Sequence, residues 1–354
     1  MLTETITLSD VRNVTLTAYI QPVGGKFAYV TRRPAMLILP GGAYQYCSKR
    51  EMDPVAFGFL QAGFQVFILQ YSVGEGASWP APLNDYDLAM ETIRRNADKW
   101  SLFPDKVGVI GFSAGGHLAA AAATMSRNRP NAAVLGYAVA GSDVKMCLPS
   151  APDTVPYVDS KTCPCFVFAT RTDPVVPIRN SLRFMRALAE ADISFESHIY
   201  SYGPHGFSTA DSSVQNPSEP LCPRAFGWQR DCIAWLREVL GDFGEEGYTA
   251  PIVGHYATAD REKTLSLDCT VGHVMTNPIA QKKLLPLLRT AKAKELLNPL
   301  QDNMGITPDA AGVEKLKDCK MVLRGVMEFM GCPKPLCALL DLKLRRIPNT
   351  SVRP

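Results

Sequence analysis

From the N-terminus to about Leu240, short apolar runs alternate with longer stretches of helical period. "VTLTAYI" (14–20), "AMLIL" (35–39), "QVFILQYS" (65–72), "KVGVIGF" (106–112), "AAVLGYAVAGS" (132–142), "CPCFVFAT" (163–170) and "SFESHIYSYG" (194–203) read as strands. Several are apolar throughout, as expected of strands buried on both faces. Between them, "DPVAFGFLQAGF" (53–64), "NDYDLAMETIRRNADKW" (84–100), "AGGHLAAAAATM" (114–125), "IRNSLRFMRALAEAD" (178–192) and "AFGWQRDCIAWLREVL" (225–240) read as helices. Asp53 is the expected N-cap of the first helix, with Pro54 in its first turn and Gly63 as its left-handed end. The second is expected to start at its Asn or Asp. Such alternation predicts βαβ units: an α/β domain with a mostly parallel sheet and helices on both faces.

Residues 241–260 ("GDFGEEGYTAPIVGHYATAD") hold four glycines and read as a linker. Beyond it the strand pattern stops. Helix-like runs over 277–297, 311–330 and 335–344, broken by Pro and Gly, predict a small C-terminal helical module over 261–354. The expected organisation is therefore a catalytic domain over 1–240, a linker, and this module.

The 354 residues are 46% apolar and 20% charged, ordinary for a globular chain. A net charge of +3 gives no reason to expect nucleic acid. From Asp260 onward 16 Lys/Arg face 10 Asp/Glu, so the tail is mildly basic and reads as a solvated helical surface or a partner contact, including contact with a second copy. "MLTETITLSD" carries no basic or apolar signal region, and no run reaches the roughly 18 apolar residues of a membrane span. Ten cysteines scattered through a large chain predict reduced thiols and a cytoplasmic location. Cys163-x-Cys165 reads as part of a strand, with no second pair at zinc spacing, so no metal or cofactor is expected.

The candidate chemistry starts at "VIGFSAGGHLAA" (109–120), a Gly-x-Ser-x-Gly turn between strand and helix. Such a turn lifts the Ser113 hydroxyl clear of the sheet and aims the Ala114 amide at the reacting centre, beside the positive end of the helix. Gly111 and Gly115 leave room where Cβ atoms would crowd. A serine hydroxyl needs a base to become nucleophilic. Of five histidines, His205 lies in a glycine-flanked loop, "YGPHGFS", after the last strand, where catalytic groups gather in open α/β sheets. His117 and His198 read as packing residues; His255 falls in the linker and His273 in the module. The third member is a buried carboxylate behind the histidine. Asp173, the first residue of "DPVVPIRNS", follows the end of the strand over 163–170, with Asp153 and Asp159 as fallbacks that follow no apolar strand. Gly42 and Ala43, in the glycine turn after "LILP", are the expected oxyanion donors beside Ala114. Tyr44, Tyr46, Tyr71 and Trp79 lie in or near loops at the active end of the sheet and read either as substrate contacts or as core. Arg50 and Glu51 start a helix near the oxyanion turn and read as a surface ion pair, with substrate contact as the alternative. The chain order Ser113, Asp173, His205 is that of the α/β-hydrolase fold.

"PGGAYQYCSKREMDPVAFGFLQAGFQVFILQYS", "GFSAGGHLAA", "TDPVVPIRNS" and "YGPHGFS" together resemble the bacterial α/β-hydrolase family that includes acetyl esterases and acetyl-xylan or feruloyl esterases. The resemblance covers about residues 10–240. It implies a carboxylic ester hydrolase, often acting on acylated sugars, with Ser113 as nucleophile, His205 as base, and Gly42, Ala43 and Ala114 as oxyanion donors. Two positions depart from the family pattern. Pro40 replaces the histidine of a His-Gly-Gly run, and Thr172-Asp173 replaces an acidic doublet, leaving Asp173 as the acid. The expected function is a serine esterase for short-chain, chiefly acetyl, esters of small molecules or oligosaccharides. A peptidase or amidase with the same triad, and a non-catalytic scaffold, are the alternatives.

Overall fold

The computed structural model describes residues 1–27, 29–243, 251–253, 259–260, 262–288 and 310–350. The chain divides into two compact units, Met1–His255 and Tyr256–Pro354. Much of the expected linker, and residues 289–297 of the first expected module helix, lie outside the described residues.

The first unit is built on β1 (Leu2–Ser9), β2 (Val14–Ile20), β3 (Arg33–Leu39), β4 (Gln65–Gln70), β5 (Leu102–Phe112), β6 (Ala132–Gly136), β7 (Cys165–Thr170) and β8 (Phe195–Tyr200). They form one sheet in the order β1-β2-β4-β3-β5-β6-β7-β8. The β1/β2 and β2/β4 pairings are antiparallel; all others are parallel. Successive side chains enter opposite cores. Leu37, Leu39, Val107, Val109, Cys165 and Val167 face one, while Met36, Ile38, Ile110, Phe112, Phe166 and Phe168 face the other. With both faces covered, alternation disappears from the hydropathy pattern and the strands read as unbroken apolar runs.

β1 has no counterpart among the expected strands. "LTETITLS" is half threonine and glutamate because this edge strand is largely exposed, and its register pairs Leu2 with Ile20. Glu4 nonetheless makes a specific contact, its carboxylate accepting the Trp100 indole N–H at 2.6 Å.

The helices are α1 (Asp53–Gln61), α2 (Ala81–Arg95), α3 (Ser113–Met125), α4 (Arg179–Glu190) and α5 (Trp228–Leu240). Asp53 is the first residue of α1, not its cap; its carboxylate instead accepts the Tyr19 hydroxyl at 2.7 Å. Gly63 does take the left-handed conformation, with φ 95°. α2 starts three residues before the expected Asn84. Asp85 does not cap it, because its carboxylate is buried and accepts Ser72 N–H, the Ser72 hydroxyl and Arg12. In α3, residues Leu118–Ala123 are fully buried, and the five alanines among them, Ala119–Ala123, let the helix lie close on the sheet.

Within the second unit, helices span Val271–Thr276, Pro278–Leu288, Ala310–Leu316, Leu323–Phe329 and Lys334–Leu344. The expected run over 311–330 is two helices, because Cys319 and Met321 leave the helical path to accept the Gly272 and Val271 amides. Leu265, Leu267, Val274, Leu284, Leu344 and Ile347 form its core. Among the described residues no helix is long and apolar enough to cross a membrane.

Candidate active site

β5 ends at Phe112 and α3 begins on the next residue, so the chain reverses at Ser113, which takes φ 54°. That left-handed value is strained for a non-glycine residue. The surrounding glycines are sterically required. A Cβ at Gly111 would meet Gly115 O at 2.0 Å, and one at Gly115 would meet Leu39 O at 2.2 Å. One at Gly116 would meet Ala138 Cβ at 2.5 Å. Glycine at these three positions is thus what lets the helix fit against the sheet while one hydroxyl turns out.

His205 and Asp173 converge on that hydroxyl. His205 Nε2 is 2.9 Å from Ser113 Oγ, and His205 Nδ1 is 2.7 Å from Asp173 Oδ2. Asp173 accepts through Oδ2, so Nδ1 carries the ring proton and Nε2 offers its lone pair to the serine. The other oxygen, Oδ1, accepts the Val175 and Val176 amides at 2.8 and 2.9 Å. Asp173 is nearly sealed from solvent, with 1% of its side chain exposed, while 18% of the His205 side chain is exposed. The neighbour that departs from the family doublet has its own role. Thr172 Oγ1 accepts the Gly203 amide at 3.0 Å and so braces the loop two residues before His205. The fallback acids are engaged elsewhere: Asp153 pairs with Arg183 and Asp159 with Arg129.

The turn after β3 passes through Gly42, Ala43 and Tyr44, with φ 125°, 54° and 60°. Gly42 O accepts the Gln45 and Tyr46 amides, closing the turn. A Cβ on Gly42 would stand 2.1 Å from Tyr46 O, so glycine is required there. Among the described residues, the amides of Gly42, Ala43 and Ala114 have no acceptor within the fold. Ala114 lies in the first turn of α3, where N–H groups lack intrahelical partners. These donors are available to an oxyanion.

Of the four aromatics read as substrate contacts or as core, Tyr44 and Tyr71 are core. Tyr44 is fully buried and its hydroxyl lies 2.6 Å from His117 Nδ1; Tyr71 is 1% exposed and donates to Pro40 O at 2.5 Å. Their rings meet edge to face at 5.9 Å, beneath the oxyanion turn, so neither can stack on a sugar. Trp79 is half-buried, edge-on to His117 at 5.4 Å, and Tyr46 is exposed. The expected Arg50–Glu51 ion pair does not form. Arg50 donates to Gln215, and Glu51 is buried beneath the turn, accepting the Gly41 amide at 2.6 Å and the Tyr137 hydroxyl at 2.7 Å. Burial raises the Glu51 pKa, while hydrogen bonds from Tyr137 and Gly41 and the charges of His205 and Arg50 oppose the rise.

His198 packs in stacked geometry on Phe166, and His273 bonds Asn349. A cavity of about 630 Å³ lined by His198, Tyr200, Arg224 and Phe226, among others, contains none of the site side chains.

His117 gives a pH prediction. Pro152 O can only accept, so Nε2 donates to it at 2.9 Å and Nδ1 accepts from Tyr44. Both nitrogens are satisfied in the neutral ring, and burial lowers its pKa to about 4. The unfolded chain protonates this ring near pH 6.5, so the folded state loses stability as pH falls from 6.5 towards 4. The stability advantage of wild type over His117→Gln is expected to shrink across that window, by at most about 1.4 kcal/mol per pH unit. Urea unfolding at several pH values measures it; parallel curves for the two proteins would contradict it. Comparing the two cancels Glu51, whose raised pKa acts with the opposite sign.

A strand-to-helix elbow serine with an imidazole and a buried carboxylate behind it, on an eight-stranded, mostly parallel sheet, is the arrangement of the α/β hydrolases. The chain belongs to the α/β-hydrolase family. The BD-FAE family model matches residues 28–148. The crystal structure of MGS-M1, an α/β-hydrolase enzyme from a Medee basin deep-sea metagenome library, shares 40% identity with a TM-score of 0.64, covering 67% of this chain and 97% of that one. Endo-1,4-beta-xylanase B of Butyrivibrio fibrisolvens is 31% identical over 220 residues, 52% of this chain and 35% of the relative. Acetylxylan esterase of Xylanibacter ruminicola is 28% identical over 197 residues, 49% and 41% respectively. The chain thus spans between about a third and two fifths of the length of these two relatives.

Proposed function

We propose that this chain is a serine carboxylesterase that hydrolyses short-chain acyl esters, chiefly acetyl esters of carbohydrates. The observation that carries this reading is the unbroken line of hydrogen bonds from Asp173 through His205 to Ser113. The carbohydrate acetyl substrate is suggested by the name of the Xylanibacter ruminicola relative.

In the first half-reaction, Ser113 Oγ attacks the ester carbonyl carbon as its proton passes to His205 Nε2. The imidazolium is held by Asp173, which stays ionised. The carbonyl oxygen becomes an oxyanion before the Ala114, Gly42 and Ala43 amides, each such donor contributing about 3 kcal/mol to the transition state. As the C–O bond to the alcohol breaks, His205 returns the proton to the leaving oxygen, and the acyl group stays on Ser113. In the second half, His205 takes a proton from water, hydroxide adds to the acyl carbon, and the carboxylic acid leaves as Ser113 regains its proton.

The reading is tested with p-nitrophenyl esters from acetate to octanoate, a chromogenic dipeptide amide and acetylated xylan. The expected outcome is a kcat/KM for acetate at least about tenfold above octanoate, with acetate released from the xylan and no turnover of the amide. Preference for octanoate, or faster turnover of the amide, would contradict it.

A further inference from the structure

Glu51 occupies a short 3-10 turn, Lys49–Glu51, between the oxyanion turn and α1, and only 4% of the residue is exposed. Its two oxygens take different partners. Oε2 accepts the Gly41 amide at 2.6 Å, and Oε1 accepts the Tyr137 hydroxyl at 2.7 Å. Gly41 directly precedes the turn that carries the Gly42 and Ala43 amides. It is also wedged against the elbow: a Cβ there would meet Glu51 Oε2 at 2.8 Å, Phe112 O at 2.9 Å and Ser113 Cβ at 3.0 Å. Tyr137, which follows β6, reaches the other side of the site. Its hydroxyl oxygen accepts the Ser208 amide at 3.1 Å, three residues past His205, and its ring stands edge-on to the His205 imidazole at 5.1 Å.

One buried carboxylate therefore ties the oxyanion turn to the segment that carries the histidine. We propose that Glu51 is a positioning residue of the esterase reaction, anchoring the Pro40–Gly41 peptide and so setting the direction of the following Gly42 amide towards the Ser113 oxyanion, and fixing the His205 loop through Tyr137. The inference rests on the esterase reading. Both partners of the carboxylate are donors, so the ionised form, acceptor-only, satisfies both at once. A carboxamide has one acceptor oxygen; its NH2 must face either the Gly41 N–H, which cannot accept, or the Tyr137 oxygen, whose hydroxyl proton then loses its partner. Rotating the peptide after Gly41 moves the next amide away from where charge develops in the transition state. That changes transition-state binding more than ground-state binding.

The test compares Glu51→Gln and Tyr137→Phe with wild type on p-nitrophenyl acetate, alongside thermal melting and inhibition by an alkyl boronic acid that forms a tetrahedral adduct on serine. In folded Glu51→Gln, kcat is expected to fall about 30-fold with KM within about twofold, and boronate affinity to fall in step with kcat/KM. Tyr137→Phe, which keeps the ring against His205, is expected to lose about fivefold in kcat with KM unchanged. A folded Glu51→Gln with wild-type kcat, or one whose loss lies in KM, overturns the proposal. If Glu51→Gln does not fold, Tyr137→Phe decides: wild-type kcat and boronate affinity overturn it. An inactive wild type would defeat the esterase reading itself, whereas an active wild type matched by these variants defeats only the role given to Glu51.

Discussion

Ser113→Ala is expected to lower kcat for p-nitrophenyl acetate by about 10⁵–10⁶-fold while the protein still folds. Only the side-chain hydroxyl is removed, and with it the acyl-enzyme through which both half-reactions pass. The amides of Gly42, Ala43 and Ala114 remain, so residual hydrolysis by bound water stays above the uncatalysed rate. The fold is not at risk, because the elbow is held by the contacts of Gly111, Gly115 and Gly116 rather than by the serine hydroxyl. Alanine at φ 54° carries the same backbone strain as serine. Steady-state kinetics with thermal melting measures both. A folded variant retaining a tenth of wild-type activity would show that Ser113 is not the nucleophile.

Asp173→Asn is expected to lower kcat by about 10⁴-fold, although it changes no atom positions to first order. The two amides of Val175 and Val176 both point at Oδ1, so the asparagine carbonyl is drawn to that side and its NH2 faces His205 Nδ1. An NH2 donor there requires Nδ1 to accept. The ring proton then sits on Nε2, facing Ser113 Oγ, and the base is blocked. A loss under tenfold would mean that the imidazole tautomer is set by another group, since Thr172 next door has no charge to offer and its hydroxyl is held by Gly203. The pH dependence of kcat/KM provides a second readout, because a tautomer fault leaves more activity where the imidazole can be bypassed by hydroxide.

The sequence was legible where local sterics and chemistry coincide. Ser113 lies between glycines that the close packing of α3 against β3 and β5 requires, so the motif carries its own geometry. Asp173 follows the apolar strand β7 and His205 follows β8, the half-polar edge strand, and the parallel topology brings both strand ends to the same end of the sheet as Ser113. The parallel core was equally readable, because strands buried on both faces leave long apolar runs.

What escaped was whatever long-range partners decide. β1 is polar in sequence because an edge strand needs little burial, and its pairing with β2 is fixed by register rather than hydrophobicity. Asp85 resembled a cap, yet Ser72 and Arg12, far away in sequence, claim its carboxylate. Tyr44 and Tyr71 sit in loops by sequence but are folded inward, with His117 and Pro40 taking their hydroxyls. Glu51 is the plainest case. Beside Lys49 and Arg50 it reads as solvated charge, and only the fold shows that its partners are a backbone amide ten residues back and the hydroxyl of Tyr137. An acidic side chain with such partners leaves no periodic or compositional trace.

The most direct measurement is intact-mass and peptide-mapping mass spectrometry after treatment with a fluorophosphonate, a reagent that captures a serine only when a neighbouring base activates it. The account predicts one equivalent of added phosphonyl mass on wild type, located on Ser113, and none on Ser113→Ala. An unlabelled wild type, or equal labelling of both proteins at some other residue, would contradict it.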